Sequence, residues 1–267
     1  MEMHKKLTLL TEQLLAMGSV AVAFSGGVDS TFLLRIAADV LKDKAIAVIG
    51  RSSAFPEREF KEAEAFVKAL GVKFEVIDSD EMAIREFVDN TVDRCYHCKK
   101  QLFTKILDTA RHNGILHVAD GSNVDDMGDY RPGMRAIREL GVISPLQDAG
   151  MTKEEIRALS RELNLPTWNK PAFACLASRI PYGERITIEN LERIGRAEQY
   201  LLDLGFKVVR VRCHGDLARI EVHPDERARF VKDDLMDRVD KAFREFGFAY
   251  VSLDLKGYRT GSMNEVI

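Results

Sequence analysis

Over the first 165 residues, short apolar runs alternate with longer stretches in which apolar side chains recur every three or four positions. SVAVAF (19–24), KAIAVIG (44–50), VKFEVID (72–78) and ILHVAD (115–120) are rich in β-branched residues and bounded by Gly, Lys or Asp, which predicts strands. Between them TFLLRIAADVL (31–41), PEREFKEAEAFVKALG (56–71) and HCKKQLFTKILDTARH (97–112) carry the three- and four-residue spacing of amphipathic helices. Pro56 stands where a first helical turn tolerates proline, and Gly71 where a helix ends. Strands alternating with helices predict an α/β fold, a parallel sheet with helices on both faces. Ligands bind such sheets at the carboxyl ends of the strands, so the loops after residues 24, 50 and 120 should converge there.

The alternation stops at 166–188, PTWNKPAFACLASRIPYGERITI, which holds three prolines, the single Trp, a cysteine and no sustained period. Irregular segments of that length inside compact proteins tend to be functional. Beyond it a helix at 189–204, strands at 207–213 and 217–222, a helix at 225–246 and a strand at 248–255 predict a small C-terminal α+β domain. His214-Gly215-Asp216 form a hairpin that implies antiparallel pairing. The expected organisation is therefore 1–165, an α/β domain; 166–188, an irregular segment; and 189–267, a small α+β domain.

Composition narrows the class. In 267 residues there are 39 Lys+Arg against 42 Asp+Glu, a net charge of −3, so bulk charge gives no reason to expect a nucleic-acid partner. Apolar residues make up 46% and charged ones 30%, which suits a folded globular protein rather than a disordered one. No apolar run approaches the roughly 18 residues of a membrane span. The first residues, MEMHKKLTLLTEQLLAMG, carry Glu12 and Gln13 where a signal peptide needs an unbroken apolar core. Four cysteines are too few for a secreted disulfide scaffold. The expectation is a cytoplasmic, reduced protein with no membrane partner.

The strongest chemical signal is AFSGGVDSTFLL (23–34), which runs from a strand end straight into a helix. Gly26 and Gly27 let the backbone turn tightly and approach a ligand. Ser25, Asp29 and Ser30 add polar side chains beside a helix N-terminus, where free N–H groups favour an anion. No Gly-Lys-Ser/Thr follows, so this is not a Walker loop, whose lysine serves chemistry at the γ-phosphate. The string Ser25, Gly26, Gly27, Val28, Asp29, Ser30 resembles instead the PP-loop of the adenylating ATP pyrophosphatases. That resemblance implies that it holds the departing pyrophosphate of ATP and that Asp29 helps to hold Mg²⁺. GSNVDDMGDYRPG (121–133) follows the strand ending at Ala119 and brings Asn123, Asp125, Asp126 and Asp129 to the same sheet edge. Alone it reads as a solvated acidic turn; beside a triphosphate its carboxylates read as Mg²⁺ or ribose partners. Ser52, Ser53 and Phe55, after the second strand, are candidates to line an adenosine site.

The cysteines divide three to one. Cys95 and Cys98 stand three residues apart at a helix start, beside Arg94, Lys99 and Lys100, which favour the thiolate form. Two such thiols suggest a metal or redox role, against the alternative of two packed cysteines or a vestigial zinc pair. Cys175 lies in the Pro-rich segment. Cys213 shares a strand face with Val209 and Val211, as a small hydrophobe would, while Arg210, Arg212 and His214 share the other. Three thiolates are one short of a tetrahedral zinc site but suit an iron–sulfur cluster with one open iron.

Taken together, SGGVDSTFL, RCYHCK, GSNVDDMGDYRPGMRA, KPAFACLASRIPYGERIT and VRVRCHGDLARIEV resemble, in order and over nearly the whole chain, the LarE family. Its members are ATP-dependent sulfur transferases of nickel-pincer nucleotide biosynthesis. The resemblance implies a small mononucleotide substrate, pyridinium-3,5-biscarboxylic acid mononucleotide, adenylated on a carboxylate and converted to a thiocarboxylate as AMP departs. Cys175 matches the family's sulfur-bearing cysteine. The addition of Cys95 and Cys98 resembles the three-cysteine subgroup, in which a [4Fe-4S] cluster, here held by Cys95, Cys98 and Cys175, carries an extra sulfide; single-cysteine members sacrifice the cysteine's own sulfur. Arg210 and Arg212 match positions near the substrate, and Arg179 is a further candidate, guanidinium forks suiting a phosphate and two carboxylates. Glu198 and Glu221 are metal-associated acids by resemblance or else surface carboxylates. The family's trimers of dimers imply a homo-oligomer, a hexamer; the sulfur donor is unknown. A tRNA thiolase is the nearest rival reading, but it would call for an RNA-binding domain or a basic surface. An amidating synthetase would need an ammonia source, and a regulatory nucleotide-binding module leaves the three cysteines without a purpose.

Overall fold

The structure is a computed structural model that describes residues 2–128, 132–171, 174–259 and 263. Its elements run α1 (Glu2–Met17), β1 (Val20–Ala23), α2 (Val28–Leu41), β2 (Ala45–Arg51), α3 (Glu57–Leu70), β3 (Lys73–Asp78), α4 (Arg85–Val88), α5 (Arg94–His112), β4 (His117–Ala119), α6 (Pro132–Glu139), α7 (Pro145–Asp148), α8 (Lys153–Glu162), α9 (Ile188–Asp203), β5 (Val209–His214), β6 (Leu217–Val222), α10 (Leu235–Glu245) and β7 (Tyr250–Leu253), with short 3-10 turns between. Among the described residues no helix is long and apolar enough to cross a membrane. The chain divides into two compact units, residues 1–84 with 93–173, and residues 85–92 with 174–267.

In the first unit β3-β2-β1-β4 form a sheet that is parallel throughout. Because successive strand side chains point to opposite faces, β1 and β2 feed two separate cores. Val20, Val22, Ala45, Ala47 and Ile49 join Leu10, Leu14, Phe32, Leu33 and Ile156. Ala21, Ile46 and Val48 join Phe103, Ile106, Met134 and Ile137. So α1, α2, α3 and α8 cover one face and α5 and α6 the other. Each fully buried Leu, Ile or Phe contributes roughly 1.5–3 kcal/mol. The helix ends obey local chemistry. Gly71, at φ 73°, closes α3 in the left-handed conformation, its N–H on the Lys68 carbonyl. Thr152 and Glu155 make a reciprocal capping box at the start of α8.

The second unit carries β5-β6-β7. The hairpin is as its residues predict: β5 and β6 pair antiparallel, with Gly215 at φ 54° in the turn. The pairing of β7 with β6 is parallel, because α10 returns the chain to the same end of the sheet. The single helix expected over 225–246 is two pieces, a 3-10 turn over Pro224–Val231 and then α10, separated at Lys232–Asp234 where Asp233 takes φ 52°. An excursion of eight residues, 85–92, is stitched into this unit. The buried Asn90 donates to the carbonyls of Pro181 (2.7 Å) and Ile180 (3.3 Å), and the Gly183 and Ile186 amides donate to the Asn90 and Val88 carbonyls.

Candidate functional sites in the two units

The loop after β1 is built as a cradle. Gly26 takes φ +68°, and a Cβ there would lie 3.0 Å from the Cβ of Ala63 on α3, so this position needs glycine twice over. The Ser25 amide donates to Ser30 Oγ, whose hydroxyl lies 3.1 Å from Ser25 Oγ, and Ser30 Oγ donates to the Gly27 carbonyl. Gly27 is the N-cap of α2, and no side chain among the described residues caps that end. The first-turn amides therefore keep their capacity for an anion.

The loop after β4 closes on the same helix end. A Cβ on Gly121 would stand 2.9 Å from the Ser30 amide nitrogen, which leaves no room for a side chain there. Asn123 Nδ2 reaches Asp29 at 3.4 Å, Asp126 accepts from the Asn123 amide at 3.0 Å, and the Asn123 side chain accepts from the Asp125 amide at 2.9 Å. Asp125 accepts from the Lys153 amide at 2.7 Å, which ties the loop to the start of α8. Asp129, the remaining carboxylate of this stretch, lies outside the described residues.

Asp29 is the chemical centre of this cluster. Burial raises its carboxyl above the ordinary range, with Asp126 adding to the rise and Lys153, whose ammonium contacts it, opposing it. No three His, Cys, Asp or Glu side chains among the described residues come together around a metal position. The donor set nevertheless suits Mg²⁺. Asp29, Asn123 and Asp126 offer hard oxygen atoms, and Mg²⁺ takes one or two carboxylates and completes its shell with water and substrate phosphate. A second lysine, Lys170, bonds the Gly26 carbonyl at 3.3 Å, Glu59 at 2.6 Å and Glu62 at 2.9 Å, so it pins the glycine turn to α3.

At the carboxyl ends of β2 and β3 a cavity of about 330 Å³ is lined by residues that include Arg51, Ser52, Ser53, Phe55, Asp78 and Ser79. Its serine loop is shaped from below by Glu81, 1% exposed, which accepts from the Ser52 and Ser53 hydroxyls and from the Ala54 amide. The cavity has the place and size of a small-ligand site on a parallel sheet.

In the second unit Cys175 is exposed, on the turn that precedes a 3-10 segment over Leu176–Arg179. Its carbonyl accepts from the Ser178 amide (3.0 Å), the Ser178 hydroxyl (2.7 Å) and Arg179 Nη1 (3.2 Å). Arg179 is fully buried, and its fork grips Glu198 on α9 at 2.7 and 3.1 Å. Glu198 also accepts from the Val211 amide at 3.0 Å. Arg212 donates to the Ser178 carbonyl at 3.2 Å and to Glu221 at 2.6 Å, and Glu221 also pairs with Arg219 at 3.0 Å. Arg210 donates to the Val209 carbonyl, and its guanidinium lies 5.1 Å from the Tyr258 ring centre; burial lowers its pKa, as does Arg179.

The arginine face of β5 is thus as covered as the valine face, with Arg210 and Arg212 each 5% exposed. Glu198 and Glu221 are not surface carboxylates but buried partners in this ladder. Arg179 spends its guanidinium on Glu198 and on the backbone that carries Cys175. Cys213 is buried as its neighbours predict, and burial raises its thiol. Cys95 and Cys98 stand one turn apart at the start of α5, exposed and half-buried, and no cysteine is in a disulfide. Their donor chemistry, accessible thiols at one helix end, suits a soft metal.

Lys153, Lys170, Glu81 and Asn90 are the residues that sequence reasoning missed. The two lysines contact the loop from 124 and 144 residues away in the chain. The one advance sign is Lys153 itself, a cation in the first turn of a helix, where the amide dipoles disfavour it.

Residues 4–113 match the NAD synthase family. The chain is 42% identical over 266 residues to the pyridinium-3,5-bisthiocarboxylic acid mononucleotide synthase of Lactiplantibacillus plantarum, covering 98% of this chain and 95% of that one. It is 44% identical to an uncharacterized protein of Synechocystis, with 92% of each chain covered. An argininosuccinate synthase of Haloarcula marismortui is 28% identical over 163 residues, 56% of this chain and 38% of that enzyme. A cradle that leaves helix amides open to an anion, in a chain alike over nearly its whole length to such a synthase, places the protein in the LarE family, that of the pyridinium-3,5-bisthiocarboxylic acid mononucleotide synthase.

Proposed function

We propose that the protein is an ATP-dependent sulfur transferase acting on pyridinium-3,5-biscarboxylic acid mononucleotide. A substrate carboxylate oxygen attacks the α-phosphorus of ATP, the bond to the β-phosphate oxygen breaks, and pyrophosphate leaves. Sulfur then attacks the acyl carbon, and the carbon–oxygen bond to AMP breaks to give the thiocarboxylate. A carboxylate oxygen is a poor leaving group and AMP a good one, which is what the ATP supplies. The observation that carries this reading is the uncapped start of α2 behind Gly26 and Gly27, with half-buried Asp29 beside it. Ser25, Gly26, Gly27, Val28 and Ser30 hold the pyrophosphate, Asp29 with Asn123 holds Mg²⁺, and the cavity at Ser52 takes the adenosine. Asp125 fixes the loop. Arg210 and Arg212 recognise the substrate's anionic groups, and Arg179 orients the Cys175 turn. ATP chemistry belongs to residues 1–165, sulfur chemistry to 166–188, and substrate binding and assembly to 189–267. The enzyme works in the cytoplasm as a homo-oligomer, a hexamer in this reading. The test is pyrophosphate release on adding the biscarboxylate mononucleotide to enzyme and ATP. Release that required tRNA instead would overturn the assignment in favour of a thiolase.

Cys95, Cys98 and Cys175 are proposed to hold a [4Fe-4S] cluster. When bound, such a cluster supplies an iron without a protein ligand, on which one additional sulfide can sit. The chain's part is to offer two thiols from one helical turn and a third on a turn whose carbonyl is held by Ser178 and Arg179. Anaerobic reconstitution should give a broad iron–sulfur absorption that Cys98→Ala abolishes and Cys213→Ala leaves intact. A protein that takes up no iron and loses the mass of H₂S at Cys175 during turnover would establish sacrifice of the cysteine instead.

A further inference from the structure

We propose that Lys153 is a shuttling cation of the phosphate site: it neutralises Asp29 while the site is empty, gives way to Mg²⁺ when the nucleotide arrives, and turns to the phosphate oxygens. The inference rests on the reading of the glycine loop as an ATP site.

Four observations carry it. Among the described residues the Lys153 ammonium has one partner, the Asp29 carboxylate. The α8 start that bears Lys153 is already satisfied by the Thr152–Glu155 box, and its own amide is held by Asp125, so the backbone is fixed while the side chain is not needed for folding the helix. The side chain is 34% exposed, against 13% for Lys170, which two carboxylates and the Gly26 carbonyl hold at once. Finally, the cation stands at the positive end of α8, where the dipole opposes it, so the Asp29 contact is what holds it there.

A half-buried carboxylate such as Asp29 is favoured by a neighbouring counter-charge. In the empty site an ammonium on a flexible four-carbon stem supplies it. A divalent ion brought with the triphosphate outcompetes a single positive charge for Asp29, and the released ammonium is then beside the phosphates. The loop contains no lysine of its own, and the departing pyrophosphate gathers negative charge that a mobile cation can meet. Lys170 cannot fill this role without giving up its contact with the buried Glu59.

The test is calorimetric binding of ATP to the full-length protein across a Mg²⁺ titration, together with steady-state pyrophosphate release. In Lys153→Gln, Mg²⁺ no longer competes with an ammonium for Asp29, so the half-saturating Mg²⁺ for nucleotide binding should fall several-fold. ATP affinity without Mg²⁺ should fall about tenfold, and kcat should drop more than KM rises. Lys153→Arg keeps the charge and should restore most of the Mg²⁺-free affinity. A half-saturating Mg²⁺ in Lys153→Gln equal to or above that of the wild type overturns the inference, because a merely structural lysine would leave it there. An arginine variant as impaired as the glutamine one overturns it too, since charge would not be the agent. Failure of the wild-type protein to bind ATP under any condition removes the site reading itself, and the shuttle with it.

Discussion

Asp29→Ala should lose pyrophosphate release by a factor on the order of 10²–10³, the usual cost of removing one fixed electrostatic group from a reacting phosphate or acyl centre. The carboxylate is the half-buried anion around which the helix start, Asn123 and Lys153 are arranged. Without it the first turn of α2 carries no carboxylate. Asp29→Asn keeps the shape and an acceptor oxygen for Lys153 but not the charge, and should lose nearly as much. Folding gives the internal control. Burial raises the Asp29 carboxyl, so the folded chain binds this proton more readily than the unfolded one, and at neutral pH the ionised group opposes folding. Thermal unfolding of Asp29→Ala should therefore show no loss of stability. A coupled pyrophosphate assay checks the activity, and wild-type turnover in the alanine variant would remove Asp29 from the site.

The largest stability effect is expected from Glu198→Ala. It leaves the fully buried guanidinium of Arg179 without its counter-charge and the Val211 amide without its acceptor. Breaking a buried pair from one side costs about 3–5 kcal/mol, because the remaining charge stays in a poorly solvating interior. Glu198→Gln keeps one acceptor oxygen for Val211 or Arg179 and should cost less. Glu192→Ala, one turn and a half earlier on the exposed side of α9, should stay within about 0.5 kcal/mol of the wild type. Urea unfolding of the three variants reads the comparison. Equal midpoints for Glu198→Ala and Glu192→Ala would show that the ladder contributes nothing to folding. The damage in Glu198→Ala should also reach Cys175, whose carbonyl depends on Arg179.

Much of the architecture is written in the periodicity. The parallel sheet, its two helical layers and the glycine cradle all follow from patterns that sit within a dozen neighbouring residues. Positions joined only by the fold leave no such trace. Lys153 and Asp29, 124 residues apart, carry no shared period, and neither does Glu81 with the serines it accepts from. The apolar spacing that predicts one helix over 225–246 persists through Lys232–Asp234, because spacing reports which side chains are buried and not where a backbone torsion changes sign. Glu198 was within reach: it falls on the stripe of Leu191, Ile194, Ala197 and Leu201, and a carboxylate on such a stripe implies a buried cation. Which arginine would answer it depends on the path of the irregular segment, and no period describes that.

The stitched excursion at 85–92 bears on the order in which the molecule can be completed. Protein synthesis delivers these eight residues, Asn90 among them, about ninety positions ahead of the carbonyls at 180 and 181 that they receive. A nascent chain carrying the finished first sheet would still hold a loose end at its middle. The later half can mature only by returning to collect it, so the two halves share one folding history although each has its own sheet.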